Sequence, residues 1–204
     1  MSPRRYRMGA RGSAVADTRS RIVEAAMQLH SERGAAATSW DDIAARAEVH
    51  PTTVYRHFRS LAELVPACMG RIWPDGMPDE AEAGAVFAGV DEVGDRFEKL
   101  VRNSCHCYGL APGWLAVTRG EADAAQPLRD AAAQQSRALR NLVRAALGGR
   151  RLAASKLALL QALVDFPFWH SLCQAGLSPT KATDAVVTIV RQQLSDMGLD
   201  RGGA

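Results

Sequence analysis

Residues 17–65 constrain the fold more than any other part of the chain. They read DTRSRIVEAAMQLHSERG, then AAATSWDDIAARAEVHPTTVYRHF, then RSLAELV. In the first run Ile22, Ala25, Ala26 and Leu29 fall on one helical face, and Gly34 stands just past the end as a stop. Ser39 followed three residues later by Asp42 has the form of a capping box that opens a second helix. Pro51 suits the first turn of a third, where a missing N–H costs nothing. That third helix crowds Thr52, Thr53, Tyr55, Arg56 and His57 together, while Ile43, Ala44, Ala47, Val54 and Phe58 supply a core beneath it. Tyr55 reads either as a core residue or as part of the outer face. A helix-turn-helix whose second helix bristles with hydrogen-bonding side chains has the shape and chemistry to enter a DNA major groove. A fourth helix, from Ser60 to about Trp73, leads away from this unit.

Charge supports the same expectation. Residues 1–60 hold ten arginines against six carboxylates, a net of +4, whereas residues 61–204 hold fifteen basic and sixteen acidic residues, a net of −1. The positive excess therefore lies where phosphates are expected. With 47% apolar residues a real core is available and wholesale disorder is excluded. Four cysteines at 68, 105, 107 and 173 do not look like a disulfide framework, and no apolar run has the length of a membrane helix. A cytoplasmic protein with no membrane partner is expected.

Beyond residue 65 the pattern stays helical and no alternating strand appears, so the fold class is all-α with about nine helices. Residues 1–16 read as a flexible basic arm, 17–65 as the DNA-reading unit and 66–204 as a helical remainder, which its aromatic composition and C-terminal apolar faces suggest as an effector-binding and dimerisation domain. Residues 74–89 read partly as loop. Pro112 and Pro127 each open a helix, Gly148-Gly149 and Gly176 end others, Ser178-Pro179 restarts the chain, and Pro167 predicts a kink.

Aromatic side chains gather in the later helices. Trp73, Phe97, Val101, Tyr108, Trp114, Phe166, Trp169 and His170 are candidates to line a pocket for an uncharged or weakly polar, aromatic effector. Tyr108 or His170 would supply the orienting hydrogen bond, and a plain hydrophobic core accounts for the same composition. Cys105, His106 and Cys107 suggest a metal site, but positions two apart on a helix point about 200° apart, so none is expected, and no cofactor either. The last helix carries Ala182, Ala185, Val186, Ile189, Val190, Gln193, Leu194 and Met197 at helical spacing, and with Leu152, Leu159, Leu160 and Leu163 on the helix before it this gives two broad apolar faces. One such face can close the monomer while another pairs with a second copy.

The runs TRSRIVEAA, ERG at 32–34, ATSWDDIAARA at 37–47 and TTVYRHF at 52–58 resemble the TetR family of bacterial transcriptional regulators over about a quarter of the chain. The resemblance implies a ligand-responsive regulator, most often a repressor, that binds a palindromic double-stranded operator as a homodimer paired through its last two helices. It implies that Thr38 and Ser39 meet a phosphate and that Thr52, Thr53 and Arg56 face base edges. Tyr55 and His57 would lie against the DNA backbone, with Arg59 adding a phosphate contact. Four positions depart from the family pattern: Glu48 replaces the usual turn glycine, His50 the hydroxyl cap, Leu61 a common lysine and Asp41 a frequent basic residue. Arg59 and the arginines at 4, 5, 7 and 11 would compensate for the lost charge. A DNA-binding protein without an effector is a rival reading. An all-α enzyme is another, but no E-x-x-H pair, phosphate loop or nucleophile elbow supports it.

Overall fold

A computed structural model describes residues 8–199 and is helical throughout its regular elements. Eleven α-helices follow in order: α1 (Met8–Arg33), α2 (Trp40–Arg46), α3 (Pro51–His57), α4 (Leu61–Ile72), α5 (Glu80–Ala83), α6 (Val93–Leu110), α7 (Pro112–Gly120), α8 (Gln126–Ala146), α9 (Ala154–Val164), α10 (Phe166–Gln174) and α11 (Pro179–Asp196). The all-α expectation stands, with two helices more than the sequence pattern suggested. One is α5, a single turn closed by an Asp79–Glu82 capping box, followed by a 3-10 turn at Ala85–Phe87 in a stretch read partly as loop. The other arises at Pro167. Instead of kinking one helix, the chain breaks at Asp165, whose carboxylate accepts from the Phe166 amide at 2.8 Å and so starts α10 with Pro167 in its first turn.

The first helix is also longer than expected. It runs back to Met8, so residues 8–16 are helix rather than a flexible arm, and residues 1–7 lie outside the described residues. Alanines at 10, 14 and 16 favour this continuation, and Ser13 through Asp17 are exposed, so helix propensity rather than packing extends α1.

Glycine marks the ends as expected: Gly34, Gly148, Gly149 and Gly176 all have positive φ. Pro51, Pro112 and Pro127 each sit in the first turn of their helices. Helices α1 to α3 form a head, with α2 against α1 and α3 against α2, and α4 joins it to a body in which α6 packs against α11 and α8. The head also leans on the body directly, through α1 on α7. A single cluster of buried apolar side chains runs through both parts, from Ile22 and Phe58 in the head to Phe97, Leu115, Leu160 and Leu194 in the body. Each fully buried side chain of this size contributes ~1.5–3 kcal/mol. No helix among the described residues is long and apolar enough to cross a membrane.

Candidate nucleic-acid interface

The head is assembled by caps. At the end of α1 the Gly34 amide donates to the His30 carbonyl at 2.8 Å with φ +87°. Ser39 then caps α2: its Oγ accepts from the Asp42 amide at 3.1 Å, and Asp42 Oδ2 accepts from the Ser39 amide at 3.0 Å and its hydroxyl at 2.6 Å. Those hydrogen bonds, joined by Arg33 at 2.7 Å, hold the Asp42 carboxyl down at about 2. Between α2 and α3, Glu48 takes φ +54°, the left-handed conformation for which the turn ordinarily uses glycine. His50 does replace a hydroxyl cap: its Nδ1 accepts from the Thr52 amide at 3.3 Å and lies 2.9 Å from the Thr52 hydroxyl.

These constraints set which way α3 faces. Val54 and Phe58 are buried beneath it, while Thr52, Tyr55 and Arg56 are exposed and Thr53 is half-buried. Tyr55 is 49% exposed and leans on Trp40 with ring centroids 5.9 Å apart, so it belongs to the outer face rather than to the core. Arg56 has no hydrogen bond or ion pair among the described residues and is free to meet an external acceptor.

His57 is placed differently from its expected backbone contact. It is half-buried, its Nε2 is shut off from solvent without a partner, and burial, followed by Arg56 and Arg19, lowers its pKa. A neutral, inward-turned imidazole is a poor phosphate ligand. Thr38 and Ser39 do sit just before α2, but their hydroxyl protons are committed, to the Gly34 carbonyl at 2.7 Å and to Asp42. Arg59 is exposed, and its amide donates to Glu63 Oε2 at 2.9 Å. Leu61, in place of a basic residue, packs half-buried against the core.

Of the six arginines in residues 13–60, four serve the head itself. Arg19 donates to the His57 carbonyl at 3.1 Å and lies 4.1 Å over the Phe58 ring, and Arg21 donates to the Ala47 carbonyl at 3.1 Å. Both place a cation at a helix C-terminus. Arg33 is paired with Asp42, and Arg46 grips Glu32 with two bonds of 2.8 and 2.9 Å. Charge counted along the sequence therefore overstates what the surface offers to phosphate. Arg56 and Arg59 are the arginines of residues 13–60 left without side-chain partners among the described residues.

Behind the head, the candidate pocket residues separate. Trp73 and Tyr108 line a cavity of about 50 Å³ together with Arg119, Gln135, Leu139 and Asp165. Arg119 and Asp165 form a paired fork at 2.8 and 3.2 Å, with Arg119 also donating to Gln135 Oε1 at 3.1 Å. The Tyr108 hydroxyl donates to the Val164 carbonyl at 3.1 Å, and burial pushes its pKa far up. Phe97, Val101, Trp114, Phe166 and Trp169 are not in this lining; all five are core. Trp114 stacks on His30 at 5.3 Å, Phe166 meets Tyr108 edge-on at 5.6 Å, and Trp169 Nε1 donates to Thr183 at 3.2 Å. His170 stacks on Phe166 at 4.8 Å, with its Nδ1 buried and unpartnered. The Arg119–Asp165 pair was not foreseen, since nothing in the sequence joins two residues 46 positions apart.

Residues 22–68 match the family model described as bacterial regulatory proteins, tetR family. An HTH-type transcriptional repressor of Mycobacterium tuberculosis is 47% identical over 51 residues, which are 25% of this chain and 27% of that protein. An HTH-type transcriptional regulator of Mycobacterium bovis gives the same figures, 47% over 51 residues, 25% and 27%. The match thus spans about a quarter of these curated relatives. Over the whole chain the likeness is one of fold. A transcriptional regulator from Aquifex aeolicus superposes with a TM-score of 0.64 at 16% identity, covering 86% of this chain and 98% of that one. The multidrug binding protein EbrR, complexed with imidazole, superposes with a TM-score of 0.53 at 20% identity over 100% of both chains.

Proposed function

We propose, from the match of residues 22–68 to the tetR family of bacterial regulatory proteins, that the chain is a DNA-binding transcriptional repressor, not an enzyme, that acts in the cytoplasm as a homodimer on a palindromic operator. One observation carries the reading: α3 turns Thr52, Tyr55 and Arg56 outward over a buried Val54 and Phe58. Arg56 is the bidentate partner of a guanine edge, and Thr52 and Thr53 contact neighbouring bases or a thymine methyl. Tyr55 and Arg59 hold the flanking phosphates, and Thr38 and Ser39 act through the α2 amides beside them rather than through their hydroxyls. Arg56→Ala should lose ~1–3 kcal/mol on the cognate duplex and little on random DNA, measured by titration at fixed salt. An equal loss on both would make Arg56 a phosphate contact and sink base reading by this residue.

Two-fold pairing follows from the spacing of major grooves, since two heads must lie ~34–36 Å apart to read one side of a duplex. The supporting surface is on α9 and α11. Ala182, Val186, Val190 and Leu194 are buried within the monomer, whereas Ala185, Ile189 and Gln193 form a half-buried stripe and Leu159 on α9 is 42% exposed. Leu159→Glu should therefore give folded monomers in sedimentation; a dimer of unchanged tightness would remove α9 from the interface.

An effector, in this reading, enters at the Trp73–Tyr108 cavity, where it would bear on α4 and α8. A volume of about 50 Å³ holds little more than water, so the cavity must open to take a weakly polar aromatic compound. Such a compound lowers DNA affinity only by its preference for a misaligned state, and a tenfold effect needs about 1.4 kcal/mol of that preference.

A further inference from the structure

The head is tied to the body twice, and only one tie is the covalent connection through α4. The other is a strip of α7 and the residue beyond it. Gly113 lies so close to α1 that a Cβ there would stand 2.6 Å from the Ser31 Cβ, so only glycine lets the two helices approach this far. One residue on, Trp114 stacks on His30 at 5.3 Å. At the far end of the strip, just past Gly120, the Glu121 carboxylate reaches the α1–α2 turn. Its Oε2 accepts from the Ala35 amide at 2.9 Å and the Ala36 amide at 3.0 Å. Its other oxygen fills the space where a Gly34 side chain would project. Two consecutive backbone N–H groups converging on one carboxylate oxygen form an anion nest, and here the anion belongs to the body while the nest belongs to the head.

The position of this clasp gives it a consequence. Ala36 is three residues before Ser39, which caps α2, and α2 passes through the Glu48 turn into α3. The turn keeps bonds of its own without Glu121: the Gly34 amide to His30, the Thr38 amide to Ala35 and the Thr38 hydroxyl to Gly34. The head is therefore complete without the clasp, and what the clasp adds is a fixed attachment. We infer that Glu121 is a positioning residue for DNA reading: it sets the angle at which α2 and α3 leave the body, and hence the separation of the two reading heads in a dimer. This rests on the DNA-binding dimer proposed above.

The probe is a duplex enriched from randomised DNA by the wild-type protein. Affinity is measured for that duplex, for its single half-site, and for versions with one base pair inserted or deleted between half-sites. Glu121→Ala should weaken binding to the full duplex about tenfold, leave the half-site unchanged and flatten the preference for the native spacer. Glu121→Gln, which keeps an acceptor oxygen for both amides, should restore most of the spacer preference. Hydrogen exchange at Ala35 and Ala36 should speed up in Glu121→Ala and much less in Glu121→Gln. If Glu121→Ala does not fold, Glu121→Asp retains the charge but withdraws the carboxylate by one methylene, and it must give the same flattening. Wild-type spacer preference in these variants overturns the inference, and so does an equal loss on the half-site, which would place the effect inside the head. If the wild-type protein enriches no sequence, the DNA-binding reading itself fails and takes the inference with it. Enrichment followed by an indifferent Glu121→Ala removes the inference alone.

Discussion

The outer face of α3 and the aromatic cluster around α10 are made of similar materials and have opposite fates. Both place rings, hydroxyls and a histidine at helical spacing. On α3 Thr52, Tyr55 and Arg56 stand outward while His57 turns in, because Val54 and Phe58 take the buried positions and caps at Ser39 and His50 fix the rotation of each short helix. Around α10, Tyr108, Phe166 and Trp169 turn inward and fill the space between α6 and α11 with their own rings. The difference lies in range. The orientation of α3 is decided by contacts within some forty residues of sequence, whereas Tyr108 and Trp169 meet across sixty.

Truncating one ring from each region gives the largest expected effect. Phe58 and Phe166 are both buried, and each truncation to alanine should cost ~3–5 kcal/mol in denaturant unfolding. A loss below about 1 kcal/mol at Phe166 would mean that this ring borders space that relaxes without it, and would reopen the aromatic pocket.

The seam between the two regions should respond to acid. His30 is buried against Trp114, its Nδ1 unpartnered, and desolvation lowers its pKa from 6.5 to about 4 even though Glu121 pulls the other way. Below pH 6.5 the unfolded chain binds a proton that the folded one refuses. Stability is therefore full above pH 6.5 and falls as the pH drops toward 4, by up to ~3 kcal/mol. Replacing His30 with Phe, which keeps a ring on Trp114, should flatten the unfolding free energy across that window. An unchanged slope would assign the acid sensitivity to the carboxylates, among them Asp42, whose contribution disappears only at lower pH.

Legibility followed the same division. The capping box at Ser39, the proline starts, the glycine stops and the inward Val54 were readable because each depends on a few adjacent residues. The extension of α1 to Met8 was not, because arginines and glycines read as an arm while the intervening alanines carry a helix. Free positive charge was misjudged for a related reason: a sequence shows arginines but not that Arg19, Arg21, Arg33 and Arg46 are spent on carbonyls and carboxylates of the head. The cavity was the least legible feature. A pocket is what packing leaves unfilled, and the sequence carries no sign that Arg119 and Asp165 meet beside Trp73 while Phe97 and Trp114 do not.

The smallest effect isolates a feature that the head carries alone. Glu48, at φ +54°, is the one non-glycine residue with positive φ among those described, and it lies in the turn between α2 and α3. A side chain there crowds the following carbonyl, a strain that glycine lacks, although glycine surrenders more freedom on folding. The balance favours Glu48→Gly by ~0.5–1 kcal/mol in unfolding free energy. Glu48→Ala supplies the control, since it removes the same carboxylate and keeps the strained backbone. If electrostatics governs DNA affinity at this position, both variants bind DNA more tightly by the same factor, because both remove a negative charge near the phosphates. Only Glu48→Gly should also be more stable. Equal stability in the two variants would show that the turn holds the left-handed conformation without strain, and that the departure from glycine costs this fold nothing.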